Sequence, residues 1–176
     1  KTMLTLVLLP GMDGTGALFA PFIDALGSQF SVQVVAYPTT GALGYAELEQ
    51  YTRAQLPKDR RFVILGESFS GPIALSLAAS GPPGLEGVVL CSTFARNPRP
   101  AFGWVRSLVG VLPVKLAPTS VLSTLLLGRF STPLLRSQLA TAMSKVSAQA
   151  LRARLHAVLS IDVSAQLAAI NVPVLY

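Results

Sequence analysis

Apolar runs of strand length alternate with stretches of helical period through the first half of the chain. The runs Leu4–Leu9, Val32–Tyr37, Arg61–Leu65 and Gly87–Cys91 read as strands, and Val172–Tyr176 repeats the pattern at the far end. Between them, the segments near Leu18–Leu26, Tyr45–Leu56, Ser70–Ala79 and Ser164–Ile170 place apolar residues at helical spacing. Strands that are nearly continuous in apolar residues are buried on both faces, and strands separated by helices pair in parallel. The expectation is an α/β chain with a mostly parallel sheet flanked by helices.

The alternation breaks between the fourth and fifth strands. From Phe94 to Asp162 the sequence reads as short helices separated by proline. Thr132-Pro133 sets an N-cap before a proline at the first helical position, and Ser147 is placed to cap a helix over Ala148–Leu159. Residues 1–94 and 163–176 are therefore expected to form the core, with 95–162 inserted as a helical cap. The rows Leu108, Val109, Val111, Leu112 and Leu122, Leu125, Leu126, Leu127 would give the cap a broad apolar surface, as a lid or as extra core.

Composition narrows the chemistry. The 176 residues are 51% hydrophobic and 12% charged, which suits one folded domain rather than a disordered chain. With one cysteine, Cys91, and one histidine, His156, the chain forms no internal disulfide and no Cys/His zinc site. No cofactor or metal is implied. Residues 1–94 carry five Lys/Arg against seven Asp/Glu, whereas residues 95–176 carry nine Lys/Arg against Asp162 alone. The net charge of +6 thus belongs to the second half. Its basic residues are spread singly through apolar sequence, without a stacking platform or a nucleic-acid motif, which argues against a nucleic-acid partner. A basic apolar cap leaves open transient contact with a membrane or lipid surface, and self-association is open as well. The opening run after Lys1 stops at Pro10-Gly11 without a small-residue cleavage site, so it reads as a buried strand, not a signal peptide. The stretch Ala101–Gly128 is interrupted by Arg106, Pro113, Lys115 and Pro118, against a membrane span. A soluble protein of a reducing compartment, the cytoplasm, is expected.

The most informative motif is Val63-Ile64-Leu65-Gly66-Glu67-Ser68-Phe69-Ser70-Gly71-Pro72, a strand entering a helix through a Gly-x-Ser-x-small turn. Such a turn forces the serine into a strained backbone conformation, so the residues two before and two after it must be small. Gly66 and Ser70 satisfy this, and Gly71 lets the helix approach the sheet. The hydroxyl of Ser68 then stands at the strand's C-terminal end, at a helix N-terminus that favours developing negative charge. Glu67 either tunes this site or pairs with neighbours, and Cys91, in an apolar strand, reads as core.

A second motif, Leu8-Leu9-Pro10-Gly11-Met12-Asp13-Gly14-Thr15-Gly16, follows the first strand. Its G-x-x-G-x-G order is not the dinucleotide fingerprint, no P-loop lysine follows, and no acid ends the second strand. It makes better sense as half of an oxyanion hole, with the backbone N–H groups of Met12 and Phe69 as donors and Asp13 as a loop-capping acceptor.

With these two motifs the chain resembles the α/β-hydrolase superfamily, in the branch with an LLPGMDGTG oxyanion loop and a GESFSG elbow. The resemblance runs from the first strand to Asn171–Tyr176, which is similar to the strand before the family's acid loop. It implies a serine esterase, lipase, thioesterase or related acyltransferase, in which Ser68 attacks an acyl carbonyl of a small-molecule ester. Trp104 and Phe102 would then contact an acyl chain or anchor a cap helix. Family order requires an acid and then a histidine after Tyr176, and neither position is present here. An internal triad would have to run Ser68, His156, Asp162, out of order, and His156 falls on the polar stripe of its helix with Gln149 and Arg152. The expectation is a piece of a longer hydrolase, with two alternatives: a short protein completed by a partner chain, or a non-catalytic relative that binds acyl ligands.

Overall fold

The computed structural model describes residues 3–111 and 132–176. Leu112, Pro113, Lys115, Pro118, Leu122 and Leu125–Leu127 lie outside the described residues, as does the side chain of Phe102. Five strands, β1 (Thr5–Leu9), β2 (Ser31–Val34), β3 (Phe62–Glu67), β4 (Leu85–Cys91) and β5 (Val174–Leu175), form one parallel sheet in the order β2-β1-β3-β4-β5. The helices joining them are α1 (Ala20–Leu26, entered through a 3-10 turn at Ala17–Phe19), α2 (Tyr45–Gln55) and α3 (Gly71–Ala79). The segment Ser164–Ala169, expected as a helix, is a 3-10 turn. The second strand is shorter than its apolar run: regular pairing ends at Val34, and only the bond from Val35 N to Leu8 O continues it.

Alternation along each strand divides the core between two faces of the sheet. Val7, Leu9, Ile64 and Val88 face α2 and α3, where they pack with Leu48, Ile73 and Leu77. Leu6, Leu8 and Leu65 face α1, with Phe19 and the partly buried Ile23, Leu26, Val63 and Val89. Cys91 is exposed, not core. It shares the α1 face with Val89 but sits one alternate position further along β4, beyond the reach of that short helix.

The segment after β4 leaves and rejoins the sheet through a pinned neck. Arg96 and Asp162 form an antiparallel bridge, Val163 N donates to Ala95 O (2.7 Å), and Asn97 N donates to Ile161 O (2.9 Å). Beyond the neck lie a 3-10 helix over Pro100–Val111 and helices α4 (Pro133–Ser144) and α5 (Ala148–Ser160). Both N-caps form as the sequence predicts: Thr132 Oγ1 accepts from Leu135 N (3.2 Å) and Ser147 Oγ from Ala150 N (3.1 Å). Trp104 is 66% exposed. Among the described residues, no helix is long and apolar enough to cross a membrane.

Candidate functional site

Ser68 occupies the turn between β3 and α3 with φ of 47°, left-handed backbone that a residue with a side chain rarely adopts. Its neighbours explain how the chain reaches this conformation. A Cβ on Gly66 would stand 2.8 Å from the Ala74 Cβ and 3.0 Å from the Ser70 carbonyl oxygen, so only glycine allows β3 to meet α3 this closely. Behind the turn, the Thr93 hydroxyl donates to the Ser68 carbonyl and fills the space that a side chain at Gly71 would need. The small residue at the other side of the serine does more than avoid a collision. Ser70 is fully buried, and its hydroxyl donates to the carbonyl of Pro10 at the base of the glycine-rich loop. Having given its one proton there, it accepts from the Tyr37 hydroxyl (2.5 Å). Tyr45 completes the support: its hydroxyl donates to Phe69 O (2.9 Å) and its ring stacks on Phe69 at 4.7 Å. Burial raises the pKa of both tyrosines, which keeps the two hydroxyls protonated as donors.

The Gly11–Gly16 loop lies over this turn. The Cβ position of Gly11 is 3.8 Å from the Ser68 Cβ. Gly14 N donates to Gly11 O (3.0 Å), so the Met12 N–H, antiparallel to that carbonyl across a trans peptide, points away from the loop's own turn. Asp13 is the capping acceptor that the motif predicts, with Thr15 N (2.9 Å) and Thr15 Oγ1 (2.5 Å) as donors. The other anchor is a residue the sequence reading passed over. Arg154, on α5, is 1% exposed, and its guanidinium donates to Met12 O (2.9 Å), Asp13 O (2.8 Å) and Pro38 O (2.8 Å). Gly14 takes φ of 69° beneath it, where a Cβ would come within 2.6 Å of Arg154 Nη1. A signal for Arg154 was present: it lies three residues after Leu151 and four before Val158, in register with the apolar row of its helix.

Two carboxylates and this cation set the electrostatics. Burial raises the pKa of Glu67, the Asp13 carboxylate beside it adds to the rise, and a hydrogen bond from Gly11 N–H opposes it. Burial likewise lowers the pKa of Arg154, against the attraction of Asp13 and Tyr37. An arginine remains charged under such a shift, and hydrogen bonds to a charged group stabilise by about 1.5–3 kcal/mol each.

Gly66, Ser68, Phe69 and Ser70 from one turn and Met12 from the facing loop are thus brought together. His156 is not among them. It is exposed, two residues past Arg154 and so about 200° around the helix from the side chain that grips the loop. Asp162 accepts from Ser164 N (2.9 Å), a bond that holds its carboxyl below the usual range. Among the described residues, no cluster of three or more His, Cys, Asp or Glu is placed to hold a metal ion.

No family model matches the chain. Phytyl ester synthase 1, chloroplastic, of Arabidopsis thaliana is 36% identical to it over 85 residues. That match spans 43% of this chain and only 12% of the synthase. The enol-lactonase of Burkholderia xenovorans LB400 superposes with a TM-score of 0.75 at 20% identity, covering 99% of this chain and 72% of the lactonase. A structure from a study of carboxylesterases of the ammonia-oxidizing thaumarchaeon Nitrososphaera gargenis superposes at 0.78 and 18% identity, covering 98% and 71%. The parallel sheet order, the left-handed serine after the third strand and these likenesses together identify the architecture as the α/β-hydrolase fold.

Proposed function

We propose that the protein is a serine-dependent hydrolase of carboxylic esters that works through an acyl-enzyme on Ser68. The observation that carries this reading is the left-handed Ser68 facing the Gly11 loop from the 3-10 turn Ser68–Ser70 that leads into α3. In that position Ser68 Oγ attacks the ester carbonyl carbon, the carbonyl oxygen takes up negative charge, and the N–H groups of Met12 and Phe69 donate to it. Phe69 lies in the first turn, where N–H groups have no carbonyl partner within the helix. Collapse of the intermediate breaks the ester C–O bond and releases the alcohol, which takes the serine proton. Water then cleaves the Ser68 ester, giving the acid and restoring the hydroxyl. Selection of acyl substrates is assigned to the inserted segment 95–162, which is basic and apolar in sequence and whose Arg154 grips the glycine-rich loop. Proton transfer is assigned to no residue of this sequence, since His156 faces away from the loop.

The likeness to phytyl ester synthase favours a second outcome on the same serine, in which an alcohol replaces water as acyl acceptor. Hydrolysis and transfer are separated by product analysis of a p-nitrophenyl ester with a competing long-chain alcohol: free acid marks the first and a new ester the second. A Ser68→Ala chain that turns over the ester as fast as the unaltered one would remove both.

A further inference from the structure

We propose that Arg154 is a positioning residue for the oxyanion loop, and that through it the seating of helix α5 sets whether the Met12 N–H is aimed at the reacting carbonyl. The inference rests on the function proposed above and names how that site is controlled. Arg154 is the largest fully buried side chain among the described residues. At 1% exposure it does not touch substrate, so its effect must pass through what it holds. It holds three backbone carbonyls of two separate loops: Met12 and Asp13 after β1, and Pro38 after β2.

The geometry ties these bonds to the donor. The Met12 residue has two flanking peptide planes. The first is fixed by Gly14 N on Gly11 O, and the second by Arg154 Nη1 on Met12 O, so the N–H direction at Met12 is set from both sides. Gly14 adopts its left-handed conformation under the guanidinium, and its carbonyl accepts from Tyr37 N (2.7 Å). Tyr37 lies with its ring centroid 5.9 Å from the Arg154 Cζ, and its hydroxyl reaches Ser70 beneath the serine turn. A planar fork with several donors can bridge two loops in this way, whereas a lysine ammonium cannot reproduce the geometry. Because Arg154 comes from α5, beyond the neck at Arg96 and Asp162, withdrawing that helix removes the bonds at Met12, Asp13 and Pro38 together.

The test compares Arg154→Lys and Arg154→Met with the unaltered chain and with Ser68→Ala. Three readouts are taken: p-nitrophenyl butyrate turnover, thermal melting, and amide hydrogen exchange at Met12–Gly14. Misaiming an oxyanion donor lowers kcat rather than substrate binding. The expected result is therefore a kcat at least about tenfold lower for Arg154→Met, with KM within about twofold and a smaller loss for Arg154→Lys, all measured where the variants are folded. Exchange at residues 12–14 should quicken in both variants more than at the sheet amides. An Arg154→Met chain with unchanged kcat overturns the proposal; if that variant does not fold, an Arg154→Lys chain with unchanged kcat does so. Should the unaltered chain show no turnover that depends on Ser68, the proposed function fails. The exchange measurement then still decides the clamp: unchanged protection at residues 12–14 in Arg154→Lys overturns it.

Discussion

Single residues around Ser68 carry constraints that can be separated by substitution. Ser70 links the Tyr37 hydroxyl to the Pro10 carbonyl, so Ser70→Ala takes the donor from the buried Pro10 carbonyl and leaves the Tyr37 hydroxyl only Thr52 as a side-chain partner. An orphaned buried group costs about 1–3 kcal/mol, and thermal denaturation should show a melting point lower by several degrees. Glu67 behaves in the opposite sense. Its folded-state pKa is raised, first by burial, so its contribution to stability is fully present below the ordinary glutamate range and is lost as pH rises through the raised value. Glu67→Gln keeps an acceptor for the Gly11 N–H but never ionises. It should melt above the unaltered chain at neutral pH, and the difference should shrink toward zero as the buffer is taken below about pH 4. The requirement for small residues at positions 66 and 70 was legible in the sequence, because steric rules act over a few residues. The hydrogen-bonding work of Ser70, and the partners of Thr93 and Tyr45, were not legible, because they join segments distant along the chain.

At the scale of elements, β3 and α3 form the unit that strains Ser68. Gly66→Ala drives a methyl into Ala74 and the Ser70 carbonyl, and should destabilise the fold by about 1–3 kcal/mol in urea denaturation. A variant as stable as the parent would mean that β3 and α3 can separate without cost. Apolar runs located all five strands to within a few residues; burial on both faces explains this for β1 and β3, whereas β4 is only partly buried and both residues of β5 are exposed. The caps at Thr132 and Ser147 were equally readable, being local hydrogen bonds. Helix α5 was read as an apolar row with a polar stripe, and Arg154 sits where an apolar side chain is expected. A pattern of apolar and polar letters records which face is buried. It does not record that a buried charge can be satisfied by carbonyls from loops more than a hundred positions earlier. Cys91 failed for the converse reason: the strand's composition predicted burial, but the covering helix is only seven residues long.

For the molecule as a whole, both anchored loops lie at the C-terminal edge of a parallel sheet, where open α/β sheets place their ligands. A cleft lined by Leu56, Pro57, Lys58, Pro82 and Pro83 opens at the opposite edge, before β3 and β4 begin, and is separate from the serine turn. The positive second half is divided in the structure: Arg96, Arg99, Arg106, Arg136 and Lys145 are exposed, while Arg154 is spent inside on the glycine-rich loop. The positive charge of the second half read from the sequence therefore overstates by one what that half presents, although the buried Asp13 of the first half offsets it in the net charge. The central claim is that the strained turn makes Ser68 a nucleophile, and covalent labelling tests it most directly. Incubation with a fluorophosphonate probe followed by peptide mass spectrometry should place one adduct on Ser68, absent from the Ser68→Ala chain. An adduct on another serine, or equal labelling of the two chains, would contradict it.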